Sequence, residues 1–270
     1  MKTLISAQSG ATQSSPVNLW VQTPAIFALV QQALGRSDGA LKLSEEALRR
    51  GRQVKHAFSL AVAIGAAGTL RYFRREAVAA HELAQAQIAI AEENGFRQTL
   101  GQGRSLRGWA MTELGQTEKG IAELEPVAAS APDAFQMRAS EMLAEVYARV
   151  GRSDGALALL DEDLTRVGKS GARLYEAELY RLKGEATLMR APSASAAAET
   201  CFRKAVEVAR GQSAKWWELR ATVSLARLLR DNNRRDEARV MLAEIYNWFT
   251  EGFETADLKD AKALLQELSS

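Results

Sequence analysis

Few residues of this sequence are of the types that carry out catalysis. The chain holds two histidines, His56 and His81, and one cysteine, Cys201. Nucleophilic hydrolysis needs a serine or cysteine beside a histidine that an acid orients, and no such partner stands at a recognisable spacing from either histidine. Cys201 precedes Phe202 on a predicted buried helix face, which favours a core thiol over a nucleophile. We therefore expect that the protein is not an enzyme, and a hydrolase is the weakest alternative.

The sequence also lacks the common patterns for binding metals, phosphates and dinucleotides. It contains no GxxxxGK, GxGxxG or HExxH motif, and its histidines and cysteine form no pair at metal-ligand spacing. The acidic run Asp161-Glu162-Asp163 is the nearest approach to a metal site. The side chains of three consecutive helical residues point in directions that span more than half a turn, so they do not converge on one metal ion. A solvated helix end is the better interpretation. We expect no metal and no cofactor.

Charged residues on the predicted helices are better candidates for a binding surface. In stacked helical repeats the first helix of each repeat lines the concave surface, and its outward positions select the ligand. Counting from the small residues at helix crossings places the following residues on that side: Trp109, Arg138, Glu141, Glu145, Glu178, Arg181, Glu185, Arg220, Arg227 and Arg230. The arginine-rich end would hold an acidic peptide or a phosphate-bearing ligand by bidentate contacts. The alternative is an ordinary charged surface with ion pairs four residues apart.

A recurring turn would position these helices. The sequence GRSDGAL occurs at Gly35 to Leu41 and again at Gly151 to Leu157. The glycine suits the left-handed backbone that ends a helix, the serine is expected to cap the next helix, and the aspartate lies in its first turn, where the helix dipole favours it. Related turns begin near residues 73, 115, 192 and 233. The spacing of roughly 36 to 42 residues is typical of stacked repeat proteins.

Between these turns, each repeat is expected to form two antiparallel helices. Pro is scarce, and no run alternates apolar with polar residues long enough to indicate a strand. The segment LAEVYARVGRSDGALALL has Ala144, Tyr147, Gly151 and Ala156 at the offsets of the tetratricopeptide motif, which it resembles. The sequence therefore predicts an all-α, tetratricopeptide-like helical-repeat solenoid of about six helix pairs.

The two ends of this solenoid are predicted to differ. Residues 1–18 are expected to be disordered, residues 19–252 to form the repeats, and residues 253–270 to form a C-terminal capping helix with one apolar stripe. No comparable cap precedes the N-terminal repeat, where Trp20, Phe27 and Val30 occur in a segment with few charges. We expect this edge to be an interface with a preceding module or with a second copy of the chain.

Three C-terminal segments resemble a particular protein family. They are YEAELYRLKGEA at 175–186, residues 199–231, and YNWFTEGFETADLKDAKALLQEL at 246–268. They are similar to the C-terminal repeat region of large bacterial proteins in which a class III adenylate/guanylate cyclase or DNA-binding domain is followed by a predicted NTPase module. The likeness extends weakly upstream over about 230 residues, with a shortened segment at 125–138. It implies a regulatory or protein-interaction region, with a cyclase or NTPase module as partner.

Composition narrows the classes of function further. The 35 basic and 33 acidic residues give a formal net charge of +2, so there is no bulk attraction to nucleic acid or to an anionic membrane. A single cysteine excludes an internal disulfide framework, and no apolar stretch is long enough to span a bilayer. We expect a cytoplasmic, non-catalytic interaction scaffold. The alternative is a module that senses a small molecule or nucleotide and acts on a separate catalytic partner.

Overall fold

The computed structural model describes residues 17–130, 134–171 and 173–269, and the side chains of residues 134–137 are outside the description. These residues hold thirteen α-helices and no strand. The helices are α1 Leu19–Ala33, α2 Ser37–Gln53, α3 Ala57–Phe73, α4 Ala77–Asn94, α5 Arg97–Glu113, α6 Thr117–Ala128, α7 Ala134–Arg149, α8 Ser153–Ser170, α9 Glu176–Arg190, α10 Ser195–Gly211, α11 Lys215–Asp231, α12 Arg235–Tyr246 and α13 Ala256–Ser269. The predicted all-α solenoid of six helix pairs and a final helix is confirmed. Of residues 1–18, for which disorder was predicted, residues 1–16 lie outside the described residues, and the side chain of Asn18 caps α1.

The predicted turns join the two helices of each pair. Gly35, Gly115 and Gly151 have φ angles of 84°, 82° and 81°, and Asn233 takes the same left-handed backbone at 60°. Arg75 also has a positive φ, of 62°, although a side chain on Cβ makes this conformation unfavourable. A left-handed residue therefore follows the first helix in five of the six pairs, and the exception is the pair α9–α10, where Ala191 has an extended backbone.

The predicted serine cap is wrong. Helix α2 begins at Ser37 itself, and its N-cap residue is Arg36, whose side chain makes no capping hydrogen bond. The hydroxyl of Ser37 instead donates to Gln32 Oε1 at 2.9 Å and accepts a bond from Arg74. Because α2 starts at Ser37, the side chain of Ser37 points towards the preceding helix α1 rather than towards the first turn of α2.

Small residues allow the paired helices to approach closely. A Cβ atom on Gly184 of α9 would lie 2.5 Å from the ring of Phe202 on α10. A Cβ on Gly108 of α5 would lie 2.9 Å from the carbonyl oxygen of Gly120 on α6. Real Cβ atoms do not tolerate such distances, so these positions need glycine and fix how each pair packs.

The stack of helix pairs curves until its two ends meet. Each first helix of a pair contacts the first helix of the next pair, and α1 also contacts α11. A Cβ on Gly35 would lie 2.8 Å from the ring of Trp248 and 2.9 Å from that of Phe249, which precede α13. The turn between α1 and α2 is therefore packed against the segment between α12 and α13. We call this the closing contact, and the space enclosed by the first helices the lumen.

Hydrogen bonds accompany the closing contact. The backbone amides of Asp38 and Gly39 donate to Glu251 Oε1 at 3.2 and 3.4 Å. In return, the amide of Gly252 donates to Asp38 Oδ2 at 3.3 Å. The carboxylate that caps the N-terminus of α2 thus comes from a residue 213 positions later in the chain, where the helix dipole favours a negative charge.

Helix α13 covers the last pair with an apolar face. Leu258, Ala261, Leu264 and Leu268 are buried. The hydroxyl of Thr255 donates to the carbonyl of Gly252 at 2.6 Å. Of the aromatic residues that precede this helix, Phe249 is buried, whereas Trp248 and Phe253 stay half-exposed.

Candidate functional site

The lumen collects most of the residues that the sequence assigned to a binding groove. Six of them are buried, namely Arg138, Glu141 and Glu145 of α7, Glu178 and Arg181 of α9, and Arg220 of α11. They were expected to be exposed on a concave surface. The closing contact brings the first helices together, and it places these side chains against one another. Ligand binding by these residues remains a prediction.

Two of these helices are joined by arginine–glutamate pairs. Arg181 binds Glu178 in a bidentate way, with its Nε 2.9 Å from Oε2 and its Nη2 2.6 Å from Oε1. The Nη2 atom of Arg220, on the neighbouring helix, lies 3.1 Å from the same Oε1. Arg181 also pairs with Glu185, which accepts a hydrogen bond from Ser224 at 2.8 Å. The bidentate geometry expected for an acidic ligand is thus occupied by a carboxylate of this chain.

Two further lumen residues were not predicted from the sequence. The hydroxyl of Tyr72 lies 3.3 Å from both Glu141 Oε1 and Glu145 Oε2, and the guanidinium of Arg75 pairs with Glu145. Tyr72 lies in the last turn of α3, and Arg75 is the left-handed residue after it. Arg75 stands at a helix-ending position where glycine is expected. This mismatch is the feature of the sequence that could have marked Arg75 as a lumen residue.

The two glutamates of α7 have opposite pKa shifts. Burial raises the pKa of Glu141 to about 7, an effect only partly offset by Arg138. Burial would also raise the pKa of Glu145, but the guanidinium groups of Arg75 and Arg220 outweigh it and lower that pKa to about 2. Two carboxyl groups one helical turn apart therefore differ in charge near neutral pH, because Glu145 faces more arginines than Glu141, which also faces Glu178.

Arg138 is surrounded mainly by aromatic rings, and Glu141 is its acidic neighbour. Its guanidinium carbon lies 3.9 Å from the ring centre of Tyr175 and 4.7 Å from that of Phe73. Its Nη1 atom is buried, and no hydrogen-bond partner for it occurs among the described residues. The rings hold this charge by cation–π attraction.

A cavity of about 290 Å³ opens from the lumen. Its charged walls consist of Arg75, Arg149, Arg181, Arg220, Arg227, Glu145, Glu185, Asp257 and Asp260, with Val223 and Ser224 between them. Burial raises the pKa of Asp257, although Arg220 and Arg75 oppose this. The cavity combines charges of both signs, contributed by helices from three repeats (α7, α9 and α11), by the turn after α3 and by α13.

The remaining groove candidates do not belong to the buried arginine–glutamate cluster. Nη2 of Arg227 is 2.5 and 2.6 Å from the two carboxylate oxygens of Asp260, and Arg230 pairs with Glu267 at 3.0 Å. Trp109 is fully buried and packs edge-on against Tyr72, with the ring centres 4.8 Å apart. Arg227 and Arg230 are therefore partly exposed, whereas Trp109 is part of the core.

The residues that were considered for chemistry are dispersed. His56 caps α3 and accepts from the amide of Ser59 at 3.3 Å, and Cys201 is only partly buried. The expected solvated acidic run is partly wrong, because Asp163 is fully buried and bound to Arg166 at 3.0 Å. Burial raises the pKa of Asp163 to about 6. Within the described residues, no three His, Cys, Asp or Glu side chains are grouped to hold a metal ion.

The N-terminal edge is the main exposed apolar surface. Trp20, Phe27 and Val30 are 46%, 54% and 42% exposed, and Leu19 and Ile26 lie beside them at 73% and 49%. We call these five residues the α1 face. Helix α1 carries no charged side chain. A small apolar pocket of about 90 Å³ adjoins this face and is lined in part by Ile26 and Val30.

Comparison with known proteins gives only distant structural similarities. No protein-family model and no curated protein matches the chain. A tetratricopeptide repeat protein from Parabacteroides merdae is 13% identical, with 94% of this chain and 100% of that chain covered and a TM-score of 0.38. The TPR2AB domain of yeast Sti1, in its pHSP90 complex, is 13% identical, with 93% and 98% covered and a TM-score of 0.35.

The stacked helix pairs themselves establish a tetratricopeptide-like helical repeat. None of the described helices is both long and apolar enough to cross a lipid bilayer.

Proposed function

We propose that this protein is a non-catalytic protein-interaction scaffold, and that its contact surface is the α1 face. The observation that supports the proposal is the row of large apolar side chains exposed on a helix without charges. Single exposed apolar residues are common on soluble proteins, but a contiguous apolar group is typical of an interaction site.

The repeat architecture explains what such a face contacts. Helix α3 packs against both α1 and α2, the two helices of the preceding pair. The stacking geometry gives α1 an equivalent face, which the described residues leave uncovered. At the other end of the stack, α13 buries its apolar stripe and exposes Lys259 and Asp260. The α1 face is therefore suited to receive helices of another module or of a second copy.

The resemblance to cyclase and NTPase signalling proteins supports a regulatory version of this scaffold. In that family the repeats follow catalytic modules, so the partner would be an NTPase or cyclase module contacting the first repeat. The proposal that the partner is an NTPase or cyclase module is supported by the resemblance of the segments at 175–186, 199–231 and 246–268 to that family.

Sedimentation of the isolated chain tests the proposal. We expect concentration-dependent self-association through the α1 face, and loss of that association in Phe27→Glu and Val30→Glu. Val240→Glu is the matched control, because Val240 is an exposed valine on α12, at 60% exposure against 42% for Val30. If the wild type stays monomeric at high concentration and the α1 variants only lose stability, the face is ordinary core and the proposal fails.

A second candidate function is supported by the lumen cavity. A sensing module needs an internal site whose walls come from several repeats, because a ligand there changes how the repeats pack. The cavity of about 290 Å³ has such walls. A thermal-shift screen with ligands of several charge classes tests this function, and the absence of any stabilising ligand counts against it.

A further inference from the structure

The charge distribution in the lumen cavity restricts the ligands that it suits. Five arginines and four carboxylates line it. All five arginines already face a carboxylate: Arg75 pairs with Glu145, Arg149 with Glu113, Arg181 with Glu185, Arg220 with Glu178 and Arg227 with Asp260. A polyanion such as phosphate would approach these acids as closely as the arginines, so simple anion binding gains little.

Asp257 is the exception among the acids. Its Oδ2 atom is buried, and no group of the described residues forms a hydrogen bond with it. The nearest paired cation, Nε of Arg220, is 4.0 Å from the other carboxylate oxygen, which exceeds hydrogen-bond distance. A buried carboxylate oxygen without a donor is unfavourable. A turn of the carboxylate about its terminal Cβ–Cγ bond, a torsion that is soft in aspartate, would bring this oxygen to the cavity, where a ligand with a cationic N–H donor would remove the deficit.

The cavity also provides donors for an anionic group. The carboxylate partner of Arg75 contacts its Nη1, and that of Arg220 contacts its Nη2. A guanidinium has five N–H donors in a planar fork, so both arginines retain donors towards the cavity that they line. These donors and Asp257 converge on one space, which suits a ligand carrying both signs of charge.

We propose that the lumen cavity binds a small zwitterion of the α-amino acid class, whose ammonium group bonds to Asp257 and whose carboxylate bonds to Arg75 and Arg220. The volume of about 290 Å³ is at the lower end of the usual range for ligand pockets, which corresponds to a ligand of about ten non-hydrogen atoms. The proposal rests on the sensing function, and it is independent of the α1 face.

Calorimetric titration of the full chain tests the proposal with matched probes. The zwitterions are L-alanine and L-glutamine. Propionate and 4-carbamoylbutanoate lack the ammonium group, alaninamide and glutaminamide lack the carboxylate, and inorganic phosphate represents simple anions. We expect saturable one-to-one binding of at least one amino acid, about tenfold or more tighter than either of its analogues, since each lost charge-assisted hydrogen bond has at least this effect.

Two aspartate variants locate the binding. Asp257→Asn keeps the shape of the side chain and is expected to weaken amino acid binding about tenfold or more. Asp236→Asn is the control, because Asp236 occupies the equivalent first turn of α12 but is fully exposed, outside the lumen. If Asp257→Asn does not fold, the probes on the wild type decide the question alone.

Several results would overturn the proposal. Binding of phosphate or of a one-charge analogue as tightly as the amino acid would leave the sensing function standing but refute the zwitterion. Unchanged amino acid affinity in Asp257→Asn would also refute it, as would the failure of both amino acids to bind. Self-association of the chain through the α1 face is not expected to change in any of these experiments.

Discussion

The two copies of GRSDGAL adopt the same turn in different surroundings. Gly35 and Gly151 have φ angles of 84° and 81°. The amide of the following arginine bonds to a carbonyl five residues back in both, at 2.8 Å for Arg36 and 2.9 Å for Arg152. Gly35 is nevertheless buried against Trp248, whereas a Cβ on Gly151 would have no neighbour within 4 Å. Seven identical residues determine the turn, and the curvature of the stack determines what the turn contacts.

Substitution of the two glycines should show the largest difference. Gly151→Val should cost about 1–2 kcal/mol, because a branched residue is forced into the left-handed region. Gly35→Val should cost about 2–5 kcal/mol, since the new side chain also collides with Trp248 and Phe249. Denaturant unfolding of both variants measures the two losses. Equal losses would mean that the closing contact is absent in solution.

The helices that lead into the two turns should differ in their response to pH. Helix α1 has no ionisable side chain, whereas α7 carries Glu141, whose pKa burial raises to about 7 from an ordinary value of 4.5. Between these two pH values the folded chain binds more protons than the unfolded chain. The free energy of unfolding should therefore fall as pH rises from about 5 to 7, by up to about 3 kcal/mol.

The contribution of Glu141 can be separated from others. Asp163, with its pKa raised to about 6, acts in the same direction at lower pH. The variant Glu141→Gln should flatten the pH dependence between pH 6 and 7 and leave the part that Asp163 contributes. An unchanged pH profile in this variant would contradict the assignment.

Removal of the two turn aspartates should show a smaller contrast. Asp38→Ala deletes the acceptor for the amide of Gly252 and should cost about 1 kcal/mol. Asp154 is almost fully exposed, and its ion-pair partner among the described residues, Arg190, lies 3.6 Å away. Asp154→Ala should therefore cost less than about 0.5 kcal/mol. Thermal unfolding of the pair checks the order, and a larger loss at Asp154 would reverse the comparison.

Hydrogen exchange should reveal the smallest difference. The amides of Asp38 and Gly39 donate to Glu251, whereas no carboxylate among the described residues caps the matching amides of Asp154 and Gly155. We expect slower exchange in the first copy, and Glu251→Ala should raise its rates to those of the second. Equal rates in the wild type would show that the cap from Glu251 is not formed.

The sequence predicted the repeats better than it predicted the lumen. The glycines and Asn233 indicate the local backbone conformation, and the spacing of small residues indicates how helices pair. The turns and the helix pairs could therefore be predicted from the sequence. The burial of Glu141 and Arg220 depends on the curvature of the stack. This curvature is the sum of the small rotations between successive repeats, and no single segment of sequence determines it. The prediction that Ser37 caps α2 was wrong for a local reason, because Ser37 is the first helical residue and the N-cap position is one residue earlier. The closing contact joins residues more than 200 positions apart, beyond the reach of any local pattern.

The cap that Glu251 provides for α2 has a consequence for the order in which the chain is assembled. A ribosome releases α1 and α2 long before residue 251 is synthesised. Open repeat arrays fold from neighbour to neighbour and lose their ends independently, but here the first repeat gains this partner only after 213 further residues have been synthesised. The native state of the first repeat therefore forms after that of the repeats that follow it, and it also reports that the segment before α13 is intact.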